Sequence, residues 1–209
     1  MLRLYFGHIR LVKDPLVFDA WFEKVNQERK EKILKCQNAE DKQRSLLAGI
    51  LLQYGLEQTH TDRQIFYSIS HSGDYVMCAI SDRRIGVDIE NRFRKNFSEH
   101  KEENIDRIAK KCLTAGELQH YVSLEKEEKT DTLLYYWTRK ESYMKATGLG
   151  AMLPLNSFCI KLEGDTIRVC HADSLEAYYF KEYHLKDGYQ YTVCSQLASF
   201  EEIKVLSLV

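Results

Sequence analysis

The sequence predicts an α+β chain of two similar halves, each a small antiparallel sheet with helices, divided as 1–84 and 85–209. Three observations carry that expectation. Residues 65–70, 75–80 and 85–90 read as three short strands at ten-residue spacing, and in the last Ile85, Val87 and Ile89 alternate with Gly86, Asp88 and Glu90. Turn-like HSGD and SDRR separate them, so a β-meander of three short strands is expected. Helical periodicity fills 38–58 and 131–147. Lastly, GDYVMCAIS at 73–81 is echoed by GYQYTVCSQL at 188–197, one copy in each half and each ending a hairpin.

The other elements follow in order. A first strand is expected near 2–9 and a helix across 17–35. The helix over 38–58 has Asn38 as its cap, with Glu40 and Asp41 suited to the positive end of its dipole. Residues 91–104 are highly charged and read as a mobile loop. Helices are expected at 104–112 and 114–126, the second capped by Thr114 three residues before Glu117. The helix over 131–147 ends at TGLG, and 155–209 reads as strands with turns at EGD and KDGY.

Composition narrows the function classes. Apolar residues are 44% and charged residues 29%, which suits a soluble globular chain and not a disordered one. A net charge of −1 gives no global field for nucleic acid, so none is expected as a partner. No run reaches the roughly 18 apolar residues of a membrane span, and the N-terminus lacks a signal-peptide pattern. The six cysteines are scattered without CxxC or Cys/His metal spacing, as in a reduced, cytoplasmic protein.

Four places are chemically unusual. In IGVDIE (85–90), Asp88 and Glu90 project from one face of a strand expected to be half-buried. At 5–6 Å and an effective dielectric of about 20 they repel by about 3 kcal/mol, so solvent, a raised pKa, a basic neighbour or a cation must answer them. On the 131–147 helix, Leu133, Trp137 and Met144 make a core-facing stripe edged by Tyr136 and Tyr143. Glu141 and Lys145 line its other border, either as a surface ion pair or as part of a site. Arg44 shares a face with Leu47, Ala48 and Leu51, so its guanidinium needs a carboxylate or an anionic ligand. Ser70 and His71 are expected in the turn of SISHSGD, where a ligand can be met; no G-x-S-x-G elbow surrounds them, which speaks against a serine hydrolase. Together, Asp88, Glu90 and Glu141 are hard oxygen donors suited to Mg²⁺. Arg29, Lys32, Arg44, His71 and Lys145 are the cations a multiply phosphorylated ligand needs.

The stretch ISHSGDYVMCAIS…IGVDIE…WTRKESYMKATGLG resembles the three signature regions of the 4′-phosphopantetheinyl transferases. ERKEK…DKQRSLLAG and the length are similar to the Sfp-type, surfactin-synthetase-activating branch. The resemblance implies two α+β halves with a pseudo-twofold relation and a ligand cleft between them. It implies transfer of 4′-phosphopantetheine from coenzyme A to a serine of an apo acyl or peptidyl carrier protein by a monomeric, cytoplasmic enzyme. By the same resemblance Asp88, Glu90 and Glu141 bind Mg²⁺ (or Mn²⁺), with Glu141 also the catalytic base. Lys145, Arg44, Ser70, His71, Arg29 and Lys32 contact coenzyme A. The family's YGKP-like segment is missing, with Arg63 nearby as a substitute, and Arg92, Arg94 and Lys95 are expected to meet an acidic carrier. Two rival readings of the same residues are a metal-dependent nucleotide phosphohydrolase and a binding-only relative.

Overall fold

The computed structural model describes residues 1–92, 102–163, 166–170, 177–185 and 188–206. Most of the charged loop, with Arg94 and Lys95, lies outside them, as do parts of the EGD and KDGY turns. The chain divides into two compact units: Met1–Arg83 with Ser199–Val209, and Arg84–Ala198. The division falls one residue from the expected boundary. The tail returns to the first unit because its strand pairs there.

In the first unit, β1 (Leu2–His8), β2 (Phe66–Ser72), β3 (Tyr75–Ser81) and β9 (Ile203–Val205) form one sheet in the order β2-β3-β1-β9. β9 lies parallel to β1, and the other pairings are antiparallel. Instead of one helix over 17–35 there are two, α1 (Pro15–Lys24) and α2 (Gln27–Leu34). The chain extends at Val25, and Asn26 then restarts it by accepting from Arg29 N at 2.9 Å. α3 (Ala39–Glu57) is capped by Asn38 as expected. Its Leu46, Leu47, Ile50 and Leu51 are buried with Tyr5, Val76, Cys78 and Ile80 of the sheet. Each such side chain contributes about 1.5–3 kcal/mol.

In the second unit, β4 (Ile85–Asn91), β8 (Tyr189–Ser195) and β7 (Tyr179–Tyr183) form an antiparallel sheet in the order β4-β8-β7. β5 (Cys159–Glu163) and β6 (Thr166–Cys170) pair as a hairpin. The expected meander breaks here. β3 has both neighbours already in β1 and β2, so β4 pairs with β8 instead. The echoed segments take equivalent places, because β3 and β8 are each flanked by strands on both sides.

The helices of this unit are α4 (Glu102–Cys112), α5 (Ala115–Val122) and α6 (Lys126–Thr147). Thr114 and Glu117 make the expected capping box of α5. α6 begins five residues before the expected start and ends at Gly148, whose φ of 73° only glycine adopts readily. Among the described residues, no helix is long and apolar enough to cross a membrane.

Candidate active site

β4 carries the two acids, and it is buried on both faces rather than half-buried. Period 2 puts Gly86, Asp88 and Glu90 on one side. α6 covers that side. A Cβ built on Gly86 would lie 1.9 Å from the Ser142 carbonyl oxygen and 2.5 Å from the Ala146 nitrogen, so helix backbone rests directly on strand backbone. The residues preceding those two contact points are Glu141 and Lys145, which the close approach brings to the acids. Lys145 Nζ donates to Asp88 Oδ1 at 2.7 Å and to the Val87 carbonyl at 3.1 Å. Burial pushes the Glu141 carboxyl above its ordinary range, the Asp88 charge pushes it further, and Lys145 pulls it back. Asp88, Glu141 and Lys145 are thus one electrostatic unit. The basic neighbour that Asp88 required is Lys145, so the ammonium does not serve Glu141 as a simple surface pair.

Glu90 is buried beside Asp88 on the same face, opposite Gln190 of β8. Among the described residues, no three His, Cys, Asp or Glu side chains form a group able to hold a metal ion by themselves. The donor chemistry nevertheless fits Mg²⁺, which needs only one or two carboxylates and completes its shell with water and substrate phosphate. Asp88 and Glu90 are adjacent hard oxygen donors, and Glu141 feels the Asp88 charge.

α6 is fixed by polar contacts that the apolar stripe did not foretell. Leu133 and Tyr143 are buried as expected, whereas Trp137 and Met144 are only partly so. Thr138, Arg139, Lys140 and Ser142 are buried with them. Thr192 Oγ1 donates to Thr138 Oγ1 at 2.9 Å. Lys140 Nζ, 0% exposed, donates to Glu117 Oε2 at 2.6 Å and to the carbonyls of Cys112, Leu155 and Phe158. Glu117 Oε1 accepts from Ile160 N at 2.8 Å, so one buried ion pair ties α4, α5, α6 and β5 together.

In the first unit, Arg44 resolves its position on the apolar stripe with partners. Nη2 donates to Asp41 Oδ1 at 2.6 Å and Nη1 to the Gly73 carbonyl at 2.7 Å. The Arg44 hydrogen bond holds the Asp41 carboxyl below the usual range, and His71 acts in the same direction. Ser70 and His71 are not in the turn. Both lie in β2, and the turn is Gly73–Asp74. Strand period puts them on opposite faces: Ser70 is buried, and exposed His71 joins Arg44 and Asp41.

Arg29 and Lys32 form a second group. With Gly49, Gln53 and Tyr67 they line a hollow of about 330 Å³. The Arg29 side chain crosses α3 at Gly49, roughly 140° around that helix from Arg44. Lys32 Nζ pairs with Glu28 at 2.7 Å. Arg63 is engaged by Asp82 at 2.7 Å, and Arg92 by Asp131 at 2.9 Å.

Sequence reasoning missed Gly86, Lys140 and Arg139. A glycine on the acid face of a strand signals close backbone approach. Lys140 lies within roughly 60° of Tyr136 and Tyr143 on the helical wheel, which marks it as inside the apolar stripe. For Arg139 the sequence offers no comparable signal.

The family model described as the 4′-phosphopantetheinyl transferase superfamily matches residues 84–194, a span that takes in Asp88, Glu90, Glu141 and Lys145. Over 199 residues the chain is 30% identical to the 4′-phosphopantetheinyl transferase Sfp of Bacillus subtilis (strain 168), with 85% of each chain covered. It is 28% identical to the 4′-phosphopantetheinyl transferase gsp of Aneurinibacillus migulanus over 227 residues, covering 100% of this chain and 92% of that one. A solved holo-(acyl-carrier-protein) synthase from Bacillus anthracis str. Ames is 18% identical with a TM-score of 0.44, covering 53% of this chain and 92% of that one. By its matched half and its relatives along most of its length, the chain belongs to the 4′-phosphopantetheinyl transferase superfamily and to the Sfp-type branch of it.

Proposed function

We propose that the protein moves the 4′-phosphopantetheine group from coenzyme A to a serine hydroxyl of an apo acyl or peptidyl carrier protein. The bond that forms joins the serine oxygen to the β-phosphorus. The bond that breaks releases 3′,5′-ADP. The observation that carries this reading is the seating of Glu141 and Lys145 over Asp88, in a chain with 4′-phosphopantetheinyl transferases as relatives.

Glu141 takes the serine proton, directly or through a water. A carboxyl whose pKa is raised by burial is a better base than an ordinary one. Lys145 leaves Asp88 for the phosphates as the charge of the leaving group develops. His71, Ser70 and Arg44, with Arg29 and Lys32, bind the anionic nucleotide portion of coenzyme A. Mg²⁺, or Mn²⁺, would be held by Asp88, Glu90 and Glu141 and would supply neutralisation of pyrophosphate charge. The enzyme acts in the cytoplasm as a monomer.

Intact-protein mass spectrometry of apo carrier proteins, incubated with coenzyme A and Mg²⁺, tests the proposal. Wild type adds one phosphopantetheine, and Glu141→Gln and EDTA controls add none. Loss of coenzyme A without any carrier would replace this reading with a phosphohydrolase. Tight coenzyme A binding without product on any carrier would replace it with a binding-only role.

A further inference from the structure

The face of the second sheet under α6 holds more charge than the proposed transfer uses. Thr192 of β8 is paired with Asp88 on one side and with Glu182 on the other, so these three stand in one row. Glu90 and Gln190 face each other in the neighbouring row. At the usual strand spacing, Glu182 stands about 10 Å from Asp88. Gln190 Nε2 donates to Glu182 Oε1. Glu182 Oε2 accepts from Arg139 Nη2 at 2.7 Å, while Arg139 Nη1 donates to the Tyr135 carbonyl at 2.9 Å. The guanidinium also stacks on the Tyr135 ring, 3.4 Å from its centroid, with only 3% of its side chain exposed.

Burying a guanidinium this completely is costly unless a matching charge answers it. α6 thus presents two cations to the sheet, Lys145 to Asp88 and Arg139 to Glu182. They answer a face that carries the carboxyl groups of Asp88, Glu90 and Glu182, with Glu141 on the helix.

We propose that Arg139, Glu182 and Gln190 form a positioning network for the acid site. Arg139 cancels the Glu182 charge, and Glu182 holds the Gln190 amide beside Glu90. The network thereby sets how tightly the acids take a divalent cation. None of the three touches the substrate; they act through Glu90 and the local field. The inference rests on the assignment of Asp88, Glu90 and Glu141 as metal-binding acids. Removing Arg139 leaves a net carboxylate about 10 Å from the site. At an effective dielectric of about 20, that charge strengthens cation binding by about ten-fold or more.

Mn²⁺ binding, read from the electron paramagnetic resonance of free Mn²⁺, tests this in the whole chain with coenzyme A present, against a blank of coenzyme A alone. Thermal unfolding of every sample runs beside it. The proteins are wild type, Arg139→Met, Glu182→Gln and the double variant. Arg139→Met binds Mn²⁺ about ten-fold more tightly or better, and Glu182→Gln binds it more weakly. The double variant, with a neutral pair in place of the ion pair, returns to roughly wild-type affinity. Glu182→Gln leaves the Arg139 guanidinium without its carboxylate, so a fifth protein, Gln190→Met, which keeps the ion pair, holds the test open where both charge variants unfold: its Mn²⁺ affinity departs from wild type. Unchanged affinity in the folded single variants overturns the inference, as does a double variant that shifts as far as a single one. A wild type that holds no Mn²⁺ overturns the metal assignment itself and the inference with it. Wild-type binding with unresponsive variants overturns the inference alone.

Discussion

Ser142 lies directly over Gly86: its carbonyl oxygen occupies the space, 1.9 Å away, where any other residue would place a Cβ. Gly86→Ala must therefore push α6 off β4 and carry Glu141 and Lys145 away from Asp88. Backbone does not yield as a side chain does, so the cost is roughly 3 kcal/mol of stability. Phosphopantetheinyl transfer falls by more than the loss of folded protein explains. A Gly86→Ala protein with wild-type melting temperature and transfer rate would show that the contact positions nothing.

Lys145 is the cation that answers Asp88 in the structure and the leaving phosphate in the proposed reaction. A hydrogen bond to a charged group contributes about 1.5–3 kcal/mol, so Lys145→Met lowers kcat/KM by roughly one to two powers of ten. Steady-state kinetics with coenzyme A as the varied substrate measures it. A change of less than two-fold, on the same order as assay scatter, would remove Lys145 from the chemistry.

Lys140 and Glu117 hold four elements by one buried pair. Lys140→Met strands the Glu117 carboxylate and costs about 3–5 kcal/mol in urea denaturation. The double variant Lys140→Met with Glu117→Gln recovers much of that loss, because no isolated charge stays behind. Equal losses in the single and double variants would mean that packing, not charge, makes the joint.

Asp41 supplies the pH-dependent prediction. Its carboxyl is held low, first by the Arg44 hydrogen bond, so the folded state favours the ionised form. The stabilisation is complete above the ordinary value of 3.8 and is lost as pH falls through the lower folded value. The gap in melting temperature between wild type and Asp41→Asn therefore closes as pH falls below about 5. The Asp41 side chain is 44% exposed, so solvent screens the pair and the gap is small. A gap that widens below about pH 5 would reverse the assignment.

Much of this was legible in the residues, and the reasons differ by place. Asn38, Thr114 and Gly148 terminate their helices as expected because capping is a local bargain between a side chain or a φ angle and nearby backbone. The break at Val25 was not legible, since nothing before Asn26 interrupts the periodicity. β4 misled for a nonlocal reason: SDRR reads as a hairpin turn, yet β1 already occupies the edge of β3 that the turn would offer. The acids and the helix that covers them were singled out by type and spacing. Their joint, Gly86 beneath Ser142, depends on how strand and helix pack, and periodicity alone does not report that. Ser70 and His71 were placed one element too late, and the two faces of β2 then separate them.

β9 has a consequence for synthesis. Residues 203–205 complete a sheet whose other strands all lie before residue 82, and 115 residues of the second unit, Arg84–Ala198, come between. A ribosome therefore delivers the first sheet with one edge of β1 bare and keeps it so until the whole second unit has emerged. An open strand edge is a template for wrong pairing, and a chain growing at about 5–20 residues per second exposes it for many seconds. Removal of residues 203–205 makes that interval permanent, so this short strand guards β1 against aggregation.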